Sequence, residues 1–391
     1  MFISVLQNNV NEACRTNNKK GYRCHPSCKP SPLNKIPLKI YHNLSEFTKL
    51  ENAVVTIGTF DGVHFGHQKI IKQLVQRAKA DNGESVILTF FPHPRVIIDP
   101  ENQDLKMINT INEKAEILKS LGVDHLIITP FTRDFSNQCP EDYIKHTLVN
   151  NIGTKHIIIG YDHRFGKDRL GNLTDLKAAG LHYGFSVEEI MEQDIHDVAV
   201  SSTKIRQALL VGDVSLAADY LGRPFSILGK VIKGDKIGRT IGFPTANLFV
   251  EETYKLIPSD GIYAVTVEMS LESEVSSRKS EDNLEKSEVR SPKTEDKMLK
   301  KEPALKLPTP DSGLRTFRGM AYIGQRPTIN GMTRNIEVNI FDFDQEIYGQ
   351  DIKMNFLKFL RHDVKFTGLE ALTVQLQKDK EATLNYFKTI S

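Results

Sequence analysis

The stretch Ala53–Gln68, AVVTIGTFDGVHFGHQ, constrains this chain most. Val54-Val55-Thr56-Ile57 is apolar and β-branched, and predicts a buried strand. Gly58 and Gly62 interrupt it. From Gly66 to Val75 the apolar residues then recur at helical spacing. Strand, glycine-bearing turn and helix in that order set free N–H groups and a positive dipole at the helix start. A nucleotide phosphate can dock there, and glycine lets the backbone come close to it. His64 and His67 sit at that start. At three-residue spacing they share one side of the first turn, from which they can donate to phosphate oxygens as charge builds. Two histidines beside a turn are also ordinary surface polarity, so the motif does not decide by itself.

Further βα units follow. Ser85–Phe90, Leu126–Thr129, Ile157–Ile159 and Ser186–Ile190 read as strands, with helical spacing at 110–121 and about 140–149. Continuous apolar strands alternating with helices predict a parallel, doubly wound sheet. Ligands bind such sheets beyond the carboxyl ends of the strands. The loops to watch carry Asp61, His64 and His67, then His93 and Arg95, then Asp162 and Arg164. The loop Gly160–Lys167 mixes glycines, aromatics, an acid and bases, which suits an aromatic, phosphorylated ligand as well as a decorated surface turn. Val200-Ser201-Ser202-Thr203-Lys204-Ile205-Arg206 starts another helix, capped by Ser201 or Ser202. Cations in a first turn oppose the helix dipole unless an anion docks beside them. An ordinary capped helix is the plainer alternative.

After Leu221-Gly222-Arg223-Pro224 the helices stop. Runs at 226–232, 261–267, 318–323, 335–341 and 351–356, separated by turn residues, read as a small antiparallel barrel. An amphipathic helix runs from about 368 to 388. Between the strands sits Gly238-Arg239-Thr240-Ile241-Gly242-Phe243-Pro244-Thr245-Ala246-Asn247-Leu248. Its glycines, Gly242 among them, permit close approach to phosphate, and Thr245 and Asn247 offer hard oxygen ligands for Mg²⁺. The spacing of a Walker P-loop is absent. Glu337 lies on a strand where pattern alone would let it face solvent.

Composition sets the outer bounds. With 391 residues and a net charge of +2, the chain has room for two or three domains and no bulk basicity pointing to nucleic acid. No apolar run approaches the roughly 20 residues of a membrane span. Cys14, Cys24, Cys28 and Cys139 do not form a disulfide framework, and Cys24-His25-Pro26-Ser27-Cys28 lacks a second ligand pair for zinc. Residues 1–36, with Glu12 their only acid, read as a disordered extension of a cytoplasmic protein. Residues 270–313, rich in Ser, Glu and Lys, read as a disordered insertion inside the barrel. Because loop-closure cost grows slowly with length, the barrel tolerates it.

Four motifs then come in one order: Thr59–His67, Pro92-His93-Pro94, Gly160-Tyr161-Asp162 and Ser201–Arg206. In this the chain resembles the bacterial bifunctional riboflavin kinase/FMN adenylyltransferase (FAD synthetase) family, over about 37–269 and 314–391. His-x-Gly-His alone marks only the wider nucleotidyltransferase superfamily; the combination is specific. The resemblance implies an α/β plus all-β fold. A Rossmann-like, doubly wound adenylyltransferase domain (37–222) precedes a small β-barrel kinase domain with a C-terminal helix (223–391). It implies two reactions, riboflavin to FMN and FMN to FAD, each using ATP with Mg²⁺. His64 and His67 would be catalytic in the second, with Gly58, Phe60, Asp61, Gly66, Ser202, Thr203 and Arg206 around the ATP phosphates. Glu337 would be the base of the kinase, beside Gly242, Thr245 and Asn247. Asp162 and Arg361 would meet flavin. Two positions depart from the family: His163 stands where an aromatic is common, and Asn339 where His is frequent. Another nucleotidyltransferase, or a non-catalytic flavin-binding regulator, are the competing readings. The first leaves the barrel motif unexplained, and the second leaves the intact catalytic set unexplained. Whether the chain forms a homo-oligomer stays open.

Overall fold

In the computed structural model the expected β-branched runs form a six-stranded parallel sheet. Its strands are β1 (Lys39–Tyr41), β2 (Ala53–Ile57), β3 (Glu84–Phe91), β4 (His125–Pro130), β5 (Thr154–Gly160) and β6 (Ser186–Ile190). The order is β1-β4-β3-β2-β5-β6. All of β2 is buried, as a strand covered on both faces must be. The residues described are 37–99, 101, 104–190, 200–234, 237–270, 313–328 and 331–390. The expected N-terminal extension, with Cys24 and Cys28, and nearly all of the expected 270–313 insertion lie outside them.

The chain runs outward from β2 through β3 to β4, then returns to place β5 on the other side of β2. The carboxyl ends of β2 and β5 therefore flank the switch point, where an open parallel sheet leaves a crevice. Helix α1 (Phe65–Ala80) follows β2, and the short α2 (Pro94–Ile98) follows β3. Helix α3 (Ile111–Ser120) opens with a capping box between Thr110 and Glu113. The helix expected near 140–149 is a wide π-helical segment, Tyr143–Ile152. Helix α4 (Leu173–Tyr183) precedes β6. The edge strand β1 was not anticipated; at three residues it is too short to show a period.

The second half closes a six-stranded antiparallel barrel. Its strands are β7 (Phe225–Ile232), β8 (Ala246–Phe249), β9 (Gly261–Ser270), β10 (Leu314–Thr328), β11 (Gly331–Ile340) and β12 (Asp351–Arg361). Strand β8 corrects the sequence reading, which left Ala246-Asn247-Leu248 in a loop. Four residues between two longer strands give too few alternations to register. Helices α5 (Ser202–Leu210) and α6 (Val214–Leu221) were expected with the first half, yet Ile205, Leu209 and Ala217 share a core with Phe225, Val265 and Phe356 of the barrel. The C-terminal helix α7 (Leu369–Ile390) lies against the barrel through Phe387, whose ring carries the Arg318 guanidinium at 5.1 Å. Among the described residues no helix is long and apolar enough to cross a membrane.

Candidate active sites

A cleft of about 800 Å³ opens at the switch point. It gathers the loops after β2, β3 and β5 and the start of α5, and so brings together Gly58, Phe60, Asp61, His64, Gly66, His67, His93, Asp162, His163, Ser202, Thr203 and Arg206. The first-half residues that the resemblance assigns to ATP, flavin or catalysis line it, whereas Gly62 and Lys204 do not. The loop leaving β2 is tightly wound: Phe60, Gly62 and Val63 all have positive φ, 46°, 82° and 41°. For Phe and the β-branched Val that conformation is strained and survives only when neighbours hold it. A side chain at Gly58 would press on the Phe60 ring, 3.1 Å from its Cβ position.

His64 caps α1, accepting from the His67 N–H at 3.5 Å. The two imidazoles stack with centroids 3.7 Å apart, and Phe60 packs edge-on against His67. Burial, with a lesser push from Arg223, lowers the His64 pKa to about 4. Burial, then His64 and Lys114, lower that of His67 well below its ordinary value. Both rings are therefore neutral at neutral pH, and each brings one N–H rather than a full charge. His93, which caps α2, is lowered to about 4 by burial and by Arg206, Arg95 and Lys114.

Asp61 has a different neighbourhood from the one its motif suggests. Its buried carboxylate accepts from the Ile108 N–H at 3.0 Å and from the Arg206 guanidinium at 2.6 Å. The Ser202 hydroxyl donates to the Asp61 carbonyl at 2.9 Å, while Ser201 is the cap of α5. Asp61, Ser202 and Arg206 thus tie the two signature loops to each other. Thr203 is exposed at the cleft, and Asp162 lies at its exposed lip. Sequence reasoning missed Lys114, which is buried and donates to the Thr59 carbonyl at 2.6 Å. Burial lowers its pKa to about 8, against the opposing pull of Asp61. A lysine three residues after Ile111, on the same stripe as Leu118, was the available signal.

The barrel builds a second group on two neighbouring strands. Asn247 of β8 and Glu337 of β11 are direct partners in register. The Thr245 hydroxyl donates to Glu337 at 2.9 Å, and the Asn335 amide donates to its other oxygen. Glu337 therefore does not simply face solvent. The Asn339 amide donates to the Pro244 carbonyl at 2.6 Å and holds the loop down. A cleft of about 430 Å³ beside it is lined by Gly242, Pro244, Asn339, Asp342, Phe343 and Lys380. Arg361 grips the buried Asp379 of α7 through two bonds of 2.8 and 2.7 Å and gives its remaining nitrogen to the His362 carbonyl. Its fork is spent on holding the C-terminal helix.

Two family models cover this architecture: FAD synthetase over residues 46–204 and riboflavin kinase over 221–387. The chain belongs to the bifunctional riboflavin kinase/FMN adenylyltransferase family. It is 35% identical over 340 residues to the Haemophilus influenzae protein of that name, covering 87% of this chain and 96% of the relative. The Listeria monocytogenes relative is 35% identical over 337 residues, 86% of this chain and 93% of that protein. A crystal structure from Streptococcus pneumoniae, titled a macrolide-efflux protein, matches with a TM-score of 0.71 at 30% identity, covering 90% of this chain and 99% of that one. Efflux is said of that protein alone; the likeness here is one of architecture. This chain is a transferase of flavin cofactor synthesis, acting as riboflavin kinase and as FMN adenylyltransferase.

Proposed function

We propose that the two reactions run in separate sites, with the boundary near residue 222. In the barrel, the ribityl hydroxyl of riboflavin attacks the γ-phosphorus of ATP, Glu337 takes the hydroxyl proton, and ADP leaves. In the switch-point cleft, an FMN phosphate oxygen attacks the α-phosphorus of a second ATP, and pyrophosphate leaves. His64 and His67 donate N–H to the charge that develops. Thr203 and the start of α5 face the polyphosphate, while Asp61, through Arg206 and Ser202, keeps the two loops in register. Asp162 and His163 meet the flavin at the rim. Arg361 serves the flavin side of the barrel indirectly, by fixing α7.

The residues present fit Mg²⁺ in the barrel. Thr245 and Asn247 are hard oxygen donors beside a carboxylate, and no three His, Cys, Asp or Glu side chains gather as a metal cluster among the described residues. Mg²⁺ in such sites leans on phosphate and water with few protein ligands. When bound, it would neutralise charge on the transferring phosphates. A cytoplasmic setting, where ATP and Mg²⁺ are abundant, suits both reactions.

The observation that carries this reading is the group of Asn247 and Glu337, opposed in register, with Thr245 bonded to Glu337, alongside a separate pair of stacked imidazoles, His64 and His67. Purified protein given riboflavin, ATP and Mg²⁺, with flavins separated over time, is expected to make FMN and then FAD. FMN alone would mean that the cleft is inactive or takes another substrate. Neither product, with riboflavin retained, would favour a regulatory flavin-binding protein.

A further inference from the structure

The strained loop that carries the histidines is held from the barrel side of the molecule. Arg223, two residues before β7, donates to the Gly62 carbonyl at 2.6 Å and to the Val63 carbonyl at 3.1 Å. Gln68 adds a bond from its amide to Val63 at 3.0 Å and another to Leu221 at 2.8 Å. On the loop's other flank, the segment Lys106–Asn109 is clamped from both sides. Toward the cleft, its Ile108 and Asn109 N–H groups donate to Asp61, and its Lys106 carbonyl accepts from Arg206. Toward the barrel, Met107 N–H donates to Tyr254 at 2.7 Å, and Leu256 N–H donates back to Met107 at 2.8 Å.

Beneath this strap lies a buried polar knot. Lys255, from the connection between β8 and β9, is buried; it donates to the Ile108 carbonyl at 2.8 Å and to the Glu113 carboxylate. Glu113 also accepts from the Leu228 N–H of β7 at 3.3 Å and from the Asn109 amide at 3.3 Å. Asn109 in turn accepts from Arg223 at 3.3 Å. The path from barrel to signature loop is continuous. A buried ionic group of this kind costs desolvation, so apolar packing would join two domains as well or better. What it adds is a fixed placement of the backbone groups it touches.

We infer that Arg223 and Lys255 are positioning residues for adenylyl transfer: cations from the kinase half that hold the His64/His67 loop in its working shape. The inference rests on adenylyl transfer belonging to that loop. A misplacement of about 1 Å at a reacting centre, even from a change far from the chemistry, can cost about 10²-fold in rate.

The test uses the full chain and assays the two half-reactions separately, FMN from riboflavin and FAD from supplied FMN. Arg223→Met is expected to lower kcat for FAD formation about 10- to 100-fold with a smaller change in KM, and to leave FMN formation within about twofold. Arg223→Lys, which keeps the charge but not the fork, should recover part of the loss. Lys255→Met strands Glu113 as an unpaired buried carboxylate, so Glu113→Gln/Lys255→Met is read beside it and is expected to show the same selective loss. Arg77→Ala removes one exposed ion pair, to Asp81 at the far end of α1, and should change neither reaction. Equal loss of both activities in the Arg223 and Lys255 variants overturns the inference, since the knot would then only hold the molecule together. So does unchanged FAD formation. His67→Ala is the reference: if it still makes FAD, the assignment of the loop itself is wrong, and the inference falls with it.

Discussion

The two sites solve the placement of reactive groups in opposite ways. In the barrel, Asn247 and Glu337 are opposed in the ladder and Thr245 is two residues from Asn247, so hydrogen-bonded register places them. In the switch-point cleft the groups come from the ends of β2, β3 and β5 and from α5, separated by as much as 145 residues between Asp61 and Arg206. There, strain in Phe60 and Val63 has to be held by distant partners. A site set by register resists change at a distance; a site set by long-range polar contacts transmits it.

Breaking each site at its chemical group gives the largest effects and should separate the two cleanly. Glu337→Gln keeps the shape and a hydrogen-bonding group for Thr245 but loses the carboxylate proposed as the base. FMN formation should fall by about 10²- to 10⁴-fold, while FAD formation from supplied FMN is unchanged. His67→Ala should do the reverse, lowering FAD formation by about 10²- to 10³-fold and sparing the kinase. Assaying the half-reactions in parallel checks both. If either variant lost both activities together, the two sites would not be independent.

Acid sharpens the comparison, because among the described residues the buried imidazoles lie on the cleft side. With the His64 pKa lowered to about 4 from an ordinary 6.5, the unfolded chain binds more protons than the folded one between those values. Stability therefore falls as pH drops from about 6.5 to 4, by on the order of 3 kcal/mol from His64 alone. Lys114 acts in a higher window: its folded pKa of about 8 lies below the ordinary 10.5, so stability rises with pH between them. His64→Asn should flatten the acid limb of thermal midpoint against pH. An unchanged acid limb in that variant would mean that His64 is hydrated and titrates normally.

The same contrast governs what could be read from sequence. Both groups proposed for the chemistry could be singled out because local strings carry them: a buried strand running into His64-Phe65-Gly66-His67, and Gly242–Asn247 with its hard oxygens. Their immediate partners were not. Asp61 reads as a cleft acid in its motif, yet its charge is met by Arg206 and by N–H groups at Ile108 and Asn109, which no local pattern links to it. Arg361 and Asp379 are separated by 18 residues and the whole turn into α7. Lys255 and Glu113 lie 142 residues apart. Only Lys114 left a trace, a cation on an apolar helical stripe.

The mildest change tests how far the barrel site owes its shape to register and how far to its loop. Gly242 has a φ of 80°, and a Cβ added there meets nothing within 4 Å. Gly242→Ala therefore brings backbone strain and no clash, about 1–2 kcal/mol at most. The strain falls on the loop rather than on the donors, because Thr245 remains bonded to Glu337 and Asn339 to the Pro244 carbonyl. The expected outcome is a rise in KM for ATP in FMN formation of about 3- to 10-fold with kcat nearly unchanged, and no effect on FAD formation. A fall in kcat without a change in KM would mean that the loop's left-handed turn positions the reacting phosphate itself. Register between β8 and β11 would then account for the base and the hard-oxygen donors but not for the phosphate they act on.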